Sequence, residues 1–334
     1  MTVPPEILDA YDLAPARIER APTGLIHHTF FLDRRLVAQA MHPVFGEEVL
    51  DDIDAATRRL AAAGLETQRL VPTRAGALGA RDAGGRLWRM LTYLDGHTVD
   101  EVGSPAAAGE AAALVARFHR AFLDGPIDVK HVRAGVHDTR AHLRRLERAG
   151  AGPLGDAILA EAQAIDWPGE LPRRLVHGDL KISNVLFRGE RAVALLDLDT
   201  IGWMPLMHEL GDAWRSWANP RGESADEPDF DLAIFAAAVR GYAAAARDWV
   251  TPAETATLVG GVHTISVELA ARFAVDMVED RYFGWDAARF PSRREHNRAR
   301  AAAMLRLAQK VRAARAEAER IVTSAFSTPP SLRA

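Results

Sequence analysis

Apolar positions in the first 95 residues come in short runs separated by turn residues. Runs at 26–31 and 36–41 flank Asp33, Arg34 and Arg35, the pattern of a hairpin. The period then changes: Val49, Ile53, Ala56 and Leu60 recur at helical spacing, with acids early and arginines late. Two more strands are expected, near Leu70 and Val71 and over 87–94, the second entered through Asp82-Ala83-Gly84-Gly85. From Ser104 the pattern is mostly helical. Ser104-Pro105 starts a helix with Leu114, Phe118 and Phe122 on one face. Further helices are expected over 136–149, 206–217, 229–247, 252–280 and 292–322. The chain therefore divides near "LDGHTV" into a mixed lobe (1–95) and a helical lobe (96–325), with a disordered tail (326–334). The fold class is α+β, two-lobed, with a small sheet and one main helix in the first lobe.

Inside the helical half, only "LVHGDLKISNVLF" (175–187) and "RAVALLDLDT" (191–200) read as strands. The first is anomalous. Its apolar ends enter a core, yet its middle holds His177, Asp179, Lys181 and Asn184, which are costly to bury without partners. Phosphoryl-transfer sites use this order: an H-x-D loop whose Asp takes the attacking hydroxyl's proton, an Asn five residues on, and a later strand-end Asp. Asp179, Asn184 and Asp197 match it in order, spacing and strand context. An Asp carboxylate and an Asn carbonyl are hard oxygen ligands suited to Mg²⁺, which bridges the phosphates of ATP. The base must stay free of the metal, a role that falls to Asp179. Lys181 is placed to reach the transferring phosphate, or else is a solvated loop lysine. His177 is read as a scaffold that holds the backbone near Asp197. Asp199 adds a second metal contact or caps the turn that follows. Asp212, read as a helix-start acid, is expected to accept backbone N–H groups and buttress the loop.

Composition narrows the partners. Net charge is −4 and the sequence pI is near 6.3, so no basic footprint points to nucleic acid. Cysteine is absent, which excludes disulfides and thiolate chemistry. No signal-peptide pattern opens the chain and no run of about 18 uncharged apolar residues occurs, so a cytoplasmic protein without membrane spans is expected. The oligomeric state is left open. H-E-x-x-H and G-x-S-x-G are both absent, against metallohydrolase and serine-hydrolase chemistry.

With HGD, D-x-D, "KISNVLF", "LLDLDTI" and "ELGDAWR" in place, the chain resembles the aminoglycoside-phosphotransferase and choline-kinase branch of the protein-kinase-like fold. The last three of these stretches, together with the late "REHNRAR" (294–300), make it similar to the N-acetylhexosamine 1-kinase-like members, which phosphorylate amino sugars. The resemblance implies ATP between the lobes, Asp179 as base, and Asn184 and Asp197 as Mg²⁺ ligands. By position, "TGLIHHTF" (23–30) would cover the phosphates, bringing in Thr23, Gly24, His28 and Thr29, with His27 beside them. "TYLDG" (92–96) would be the hinge, with Tyr93 and Leu94 meeting adenine. The strand position that often carries a phosphate-binding lysine holds Gln39, and the lobe has no lysine at all. Arg89 is either the replacement cation or a solvent-facing strand arginine. Beside Asp179, the acceptor would meet Arg294, His296 and Asn297, unless these only cap the last helix. A late region rich in arginine and aromatics favours a neutral or anionic acceptor over a polycationic antibiotic. The expected activity is ATP- and Mg²⁺-dependent phosphorylation of a small-molecule acceptor, a sugar or amino sugar. The alternatives are an aminoglycoside, choline or homoserine as acceptor, and a nucleotide-binding pseudokinase that acts as an interaction module.

Overall fold

A computed structural model describes residues 2–21, 27–125, 127–131 and 135–327. The first lobe is a five-stranded antiparallel sheet of order β1-β2-β3-β5-β4: β1 Ile18–Arg20, β2 His28–Leu32, β3 Leu36–Ala40, β4 Ala80–Arg81 and β5 Leu87–Thr92. Asp33 and Arg34 both take left-handed φ (51°) and close the β2–β3 hairpin where expected. The expected strand at Leu70 and Val71 is only a bridge to β5, because Pro72 has no N–H with which to continue it.

Side-chain alternation sorts the sheet into two faces. Phe30, Leu32, Ala38, Ala40, Trp88 and Met90 pack on Ile7 of a short helix that the periodicity did not reveal, α1 (Pro5–Ala10). Val37, Leu87 and Leu91 face the other way, toward Val49, Leu50 and Ile53 of α2 (Glu48–Ala62). Thr29, Gln39 and Arg89 lie on this second face, which looks onto the larger lobe.

The larger lobe contains α3 (Pro105–Arg120), α4 (Thr139–Ala149), α5 (Gly152–Ala162), α6 (Leu206–Trp217), α7 (Leu232–Ala246), α8 (Pro252–Glu279), α9 (Arg293–Ala313) and α10 (Arg315–Ser327). The helix α5 went unseen because Gly152-Pro153-Leu154-Gly155 reads as a turn. The expected helix 292–322 breaks at Ala314, so that α9 packs on α8 while α10 reaches α7. Phe326 and Ser327 close α10 rather than opening a tail; residues 328–334 lie outside the described set. The helix α8 is long and apolar enough to cross a membrane, but 89% of its most apolar window is buried inside the protein.

Among the described residues, four strands, not two, interrupt these helices. They form two ribbons: β6 (Arg174–Val176) with β9 (Gly202–Met204), and β7 (Val185–Arg188) with β8 (Arg191–Leu195). The chain between β6 and β7, and that between β8 and β9, meet beneath the first lobe.

Candidate active site

The loop from His177 to Asn184 leaves β6, passes a 3₁₀ turn (Ile182–Asn184) and enters β7. Gly178 takes φ +82°, and a Cβ there would lie 2.2 Å from the Thr200 carbonyl, so only glycine fits this approach. Two backbone N–H groups of the loop, His177 and Gly178, donate to the buried Glu209 carboxylate at 2.8 and 3.0 Å. That is the buttress expected of Asp212. Asp212 instead sits mid-helix on α6 and accepts from Arg215 (3.1 and 2.8 Å), while Arg215 also donates to Glu223 at 2.7 Å. Burial would raise the Asp212 carboxyl, but the Arg215 guanidinium outweighs it and holds it below the ordinary range.

His177 Nε2 donates to the Leu196 carbonyl at 2.8 Å, one residue before Asp197, and its Nδ1 accepts from the Asp179 N–H at 3.3 Å. Asp179 meets the Lys181 ammonium at 3.0 Å. Desolvation pulls that ammonium down and the Asp179 charge raises it, with a net upward shift. Asn184 Nδ2 donates to the Asp179 carbonyl at 2.8 Å, which leaves its side-chain oxygen as the free ligand atom.

Asp197 has left-handed backbone (φ 60°), and its buried Oδ1 has no hydrogen-bond partner. Burial, and then the Asp199 charge, push its carboxyl upward. A buried carboxylate oxygen without a donor, on a segment whose Leu196 N–H bonds the Asn184 backbone carbonyl at 2.8 Å, suits a hard divalent cation together with the free Asn184 amide oxygen, so the residues fit Mg²⁺. Asp199 differs, because both its oxygens are engaged: Oδ1 by Arg89 at 2.5 Å and Oδ2 by His27 at 2.7 Å. Burial would raise its carboxyl, but Arg89 and His27 bring it to about 2. His27, Asp197 and Asp199 offer ligand atoms within 4.8 Å of one another.

In the first lobe, Thr23 and Gly24 lie outside the described residues. His28 shares the α1-side face with Phe30 and points away from the D-x-D segment; it is His27 that reaches it. Thr29 and Gln39 are bonded to each other at 3.1 Å, and Arg89 Nε donates to Gln39 at 2.8 Å. Arg89 is 2% exposed, so the solvent-facing alternative is wrong. Tyr93 uses its N–H on the Arg35 carbonyl, whereas the Leu94 backbone makes no hydrogen bond among the described residues.

The acceptor triad does not converge. Arg294 is exposed on the outer side of α9. His296 is buried, stacks on Phe290 at 4.1 Å and accepts the Asp286 N–H. Asn297 donates to Asp276, whose carboxylate also collects the N–H groups of Arg281, Tyr282 and Phe283. Both residues fasten the 281–290 segment instead of facing open space. That segment helps wall a cavity of about 380 Å³, with Val44, His131, His142, Arg145 and Arg272 as other lining residues. The His131 ring lies 5.7 Å from Phe45, and Phe45 lies 5.3 Å from His27, so this cavity opens beside the interlobe site.

Among the described residues, Glu209 was not singled out by the sequence, and His27, named there only beside His28, is the histidine that reaches the D-x-D segment. Each sits beside a similar residue, Asp212 or His28, and only the tertiary register distinguishes them.

The fold has solved counterparts. An aminoglycoside phosphotransferase from Alicyclobacillus acidocaldarius superposes with a TM-score of 0.64 at 17% identity, covering 96% of this chain and 97% of that one. An amicoumacin kinase in complex with AMP-PNP, Ca²⁺ and Ami gives 0.63 at 13% identity, covering 90% and 91%. A microcompartment-associated aminopropanol kinase gives 0.61 at 14%, covering 94% and 97%. A homoserine kinase from Methylocella silvestris is 31% identical over 168 residues, 47% of this chain; the match spans half of that relative's length. The model of the phosphotransferase enzyme family matches residues 17–249, well over half of the chain, and the protein belongs to that family.

Proposed function

We propose that the protein is an ATP- and Mg²⁺-dependent small-molecule kinase that transfers the γ-phosphoryl group to an acceptor hydroxyl. One observation carries this reading: a single braced loop presents Asp179, Lys181 and Asn184 opposite the orphaned Asp197 oxygen. Asp179 takes the proton of the acceptor hydroxyl as its oxygen bonds to the γ-phosphorus; the bond to the β-phosphate oxygen breaks and ADP leaves. Lys181 turns from Asp179 toward the transferring group. Asn184 and Asp197 would hold Mg²⁺, which, when bound, neutralises charge on the phosphates.

The acceptor we propose is a sugar or amino sugar, the class implied by the sequence resemblance. Its support is electrostatic. Carboxylates near the cavities are already engaged: Glu268 by His137 and Thr139, Asp276 by three N–H groups and Asn297, and Asp212 and Glu223 by Arg215. Both oxygens of Glu268 and of Asp276 are occupied, and Asp212 and Glu223 share one guanidinium, a poor match for a polycationic aminoglycoside. A second reading, a hydroxylated amino acid such as homoserine, is favoured by Arg272. Its guanidinium lines the 380 Å³ cavity and is 3.7 Å from a Glu268 carboxylate that others already satisfy, which leaves it able to pair with an acceptor carboxylate.

The test is ATP-dependent ADP release over N-acetylglucosamine, N-acetylgalactosamine, glucose, homoserine, choline and an aminoglycoside. Asp179→Asn should cut turnover roughly 10²–10⁴-fold while nucleotide affinity holds. Turnover on homoserine alone would replace the sugar reading. Binding of nucleotide without turnover on any acceptor would favour a pseudokinase.

A further inference from the structure

A triphosphate brings several negative charges into the cleft, and kinase folds meet them with a third-strand lysine held by a glutamate of the lobe's helix, besides the metal. Here that strand carries Gln39, and no lysine precedes Lys130. Nor does the helix supply the glutamate's counterpart, since the buried Asp52 of α2 accepts the backbone N–H groups of Lys130 and His131. A cation does stand one strand over. Arg89 lies directly opposite Gln39 in the β3–β5 register. Its Nε is fixed by Gln39 and its Nη1 by Asp199, while Gln39 is itself fixed by Thr29. A polar row thus crosses three strands and ends on the second acid of the D-x-D segment. A cavity of about 30 Å³ separates this row from Asp197, lined by Gln39, Arg89, Asp197 and Asp199. Nη2 of Arg89 makes no hydrogen bond among the described residues and remains able to donate.

We propose that Arg89 binds the nucleotide phosphates in place of the third-strand lysine, with Asp199 as its counter-ion, so that the metal falls to Asn184 and Asp197 alone. This rests on the kinase reading above. The contrast between the two acids supports it: Asp199 has both oxygens taken by protein donors, whereas an Asp197 oxygen has none. The Arg89–Asp199 pair takes the structural place of the lysine–glutamate pair, moved by one strand on one side and onto the larger lobe on the other.

Calorimetric binding of ATP, ADP and adenosine to the full chain, with Mg²⁺ present, tests the proposal without turnover. Arg89→Met should weaken ATP and ADP about tenfold or more and leave adenosine within about twofold. Gln39→Lys/Arg89→Met, which returns the cation to the third strand, should recover most of that loss. Manganese binding, read by electron paramagnetic resonance in the presence of ATP, should survive Asp199→Asn and fail in Asp197→Asn. If Arg89→Met does not fold, Asp199→Asn and Asp199→Asn/Arg89→Met give the same comparison without an unpaired buried carboxylate. An unchanged ratio of ATP to adenosine affinity on removal of Arg89 would overturn the proposal, as would loss of manganese in Asp199→Asn. Failure of the wild type to bind ATP at all would instead overturn the kinase reading, and this proposal with it.

Discussion

A single side chain, Glu209, sets where Asp179, the proposed base, can stand. Its two oxygens take the N–H groups of His177 and Gly178, and no water could replace it in a pocket where it is 1% exposed. Glu209→Gln would keep one acceptor and turn an NH₂ toward a backbone donor. Stability should fall by about 1–3 kcal/mol, the cost of an unsatisfied buried group. Turnover should fall with it while nucleotide affinity stays, since the loop moves and the first lobe does not. Denaturant unfolding and binding on the same variant check both halves. This residue also marks what sequence can tell at this scale. Asp179, Asn184 and Asp197 are legible because loop spacing and strand ends are local. Glu209 was not, because the choice between it and Asp212 depends on how α6 docks on the β6–β9 ribbon, a non-local fact. The same holds for His27 against His28, where a strand boundary decides, and for His296 and Asn297, whose polar groups are used inside the scaffold.

The docking of α6 is itself governed by its contact with α8. A Cβ on Gly211 would lie 2.6 Å from the Gly261 backbone, and one on Gly261 would lie 2.1 Å from the Met207 carbonyl. The helices touch backbone to backbone, and only the absence of side chains allows it. Gly261→Ala must push α6 outward, taking Glu209 with it. The expected cost is about 1–3 kcal/mol, with a lower melting temperature and reduced turnover. Gly260→Ala, next door, meets nothing within 4 Å and serves as the control; equal effects from both would remove the crossing from the argument. Element-level reading of the sequence succeeded where periodicity was long, as in α2, α3 and α8. It failed at α1, α5, β1, β4 and β9. These are short, or start with residues that signal a turn, and they form because the sheet face or the β6 strand needs a partner. The break at Ala314 carries no Pro or Gly either; the separate packing partners of α9 and α10 place it there.

At the scale of the whole molecule, the two-lobed plan was legible, because the change from short strands to helical repeats is global. The balance of buried charge was not, since it depends on pairs distant in sequence. His208 and His296 are driven down to about 4, chiefly by burial and by cations nearby, while the ordinary value is 6.5. An unfolded chain therefore takes up protons on both groups from about pH 6.5 downward, whereas the native chain waits until about 4. Stability must fall through that window as pH drops, by up to about 1.4 kcal/mol per pH unit for each group, and less for the partly exposed His208. Asp199, Glu268 and Asp276 have depressed native values, so their contribution is complete above the ordinary carboxylate range and is lost at still lower pH. His137 acts oppositely: burial lowers it, but its contact with Glu268 leaves it raised, so it adds stability below 6.5 and surrenders it as pH rises through its native value. The maximum should then lie near neutrality, with two distinct acid limbs. Urea unfolding at pH 7, 5.5, 4.5 and 3.5 resolves them. His208→Gln should make the limb between 6.5 and 4 shallower, His208→Gln/His296→Gln should flatten it, and both should leave the lower limb in place; a limb of unchanged slope in the double variant would assign the acid sensitivity to the carboxylates alone.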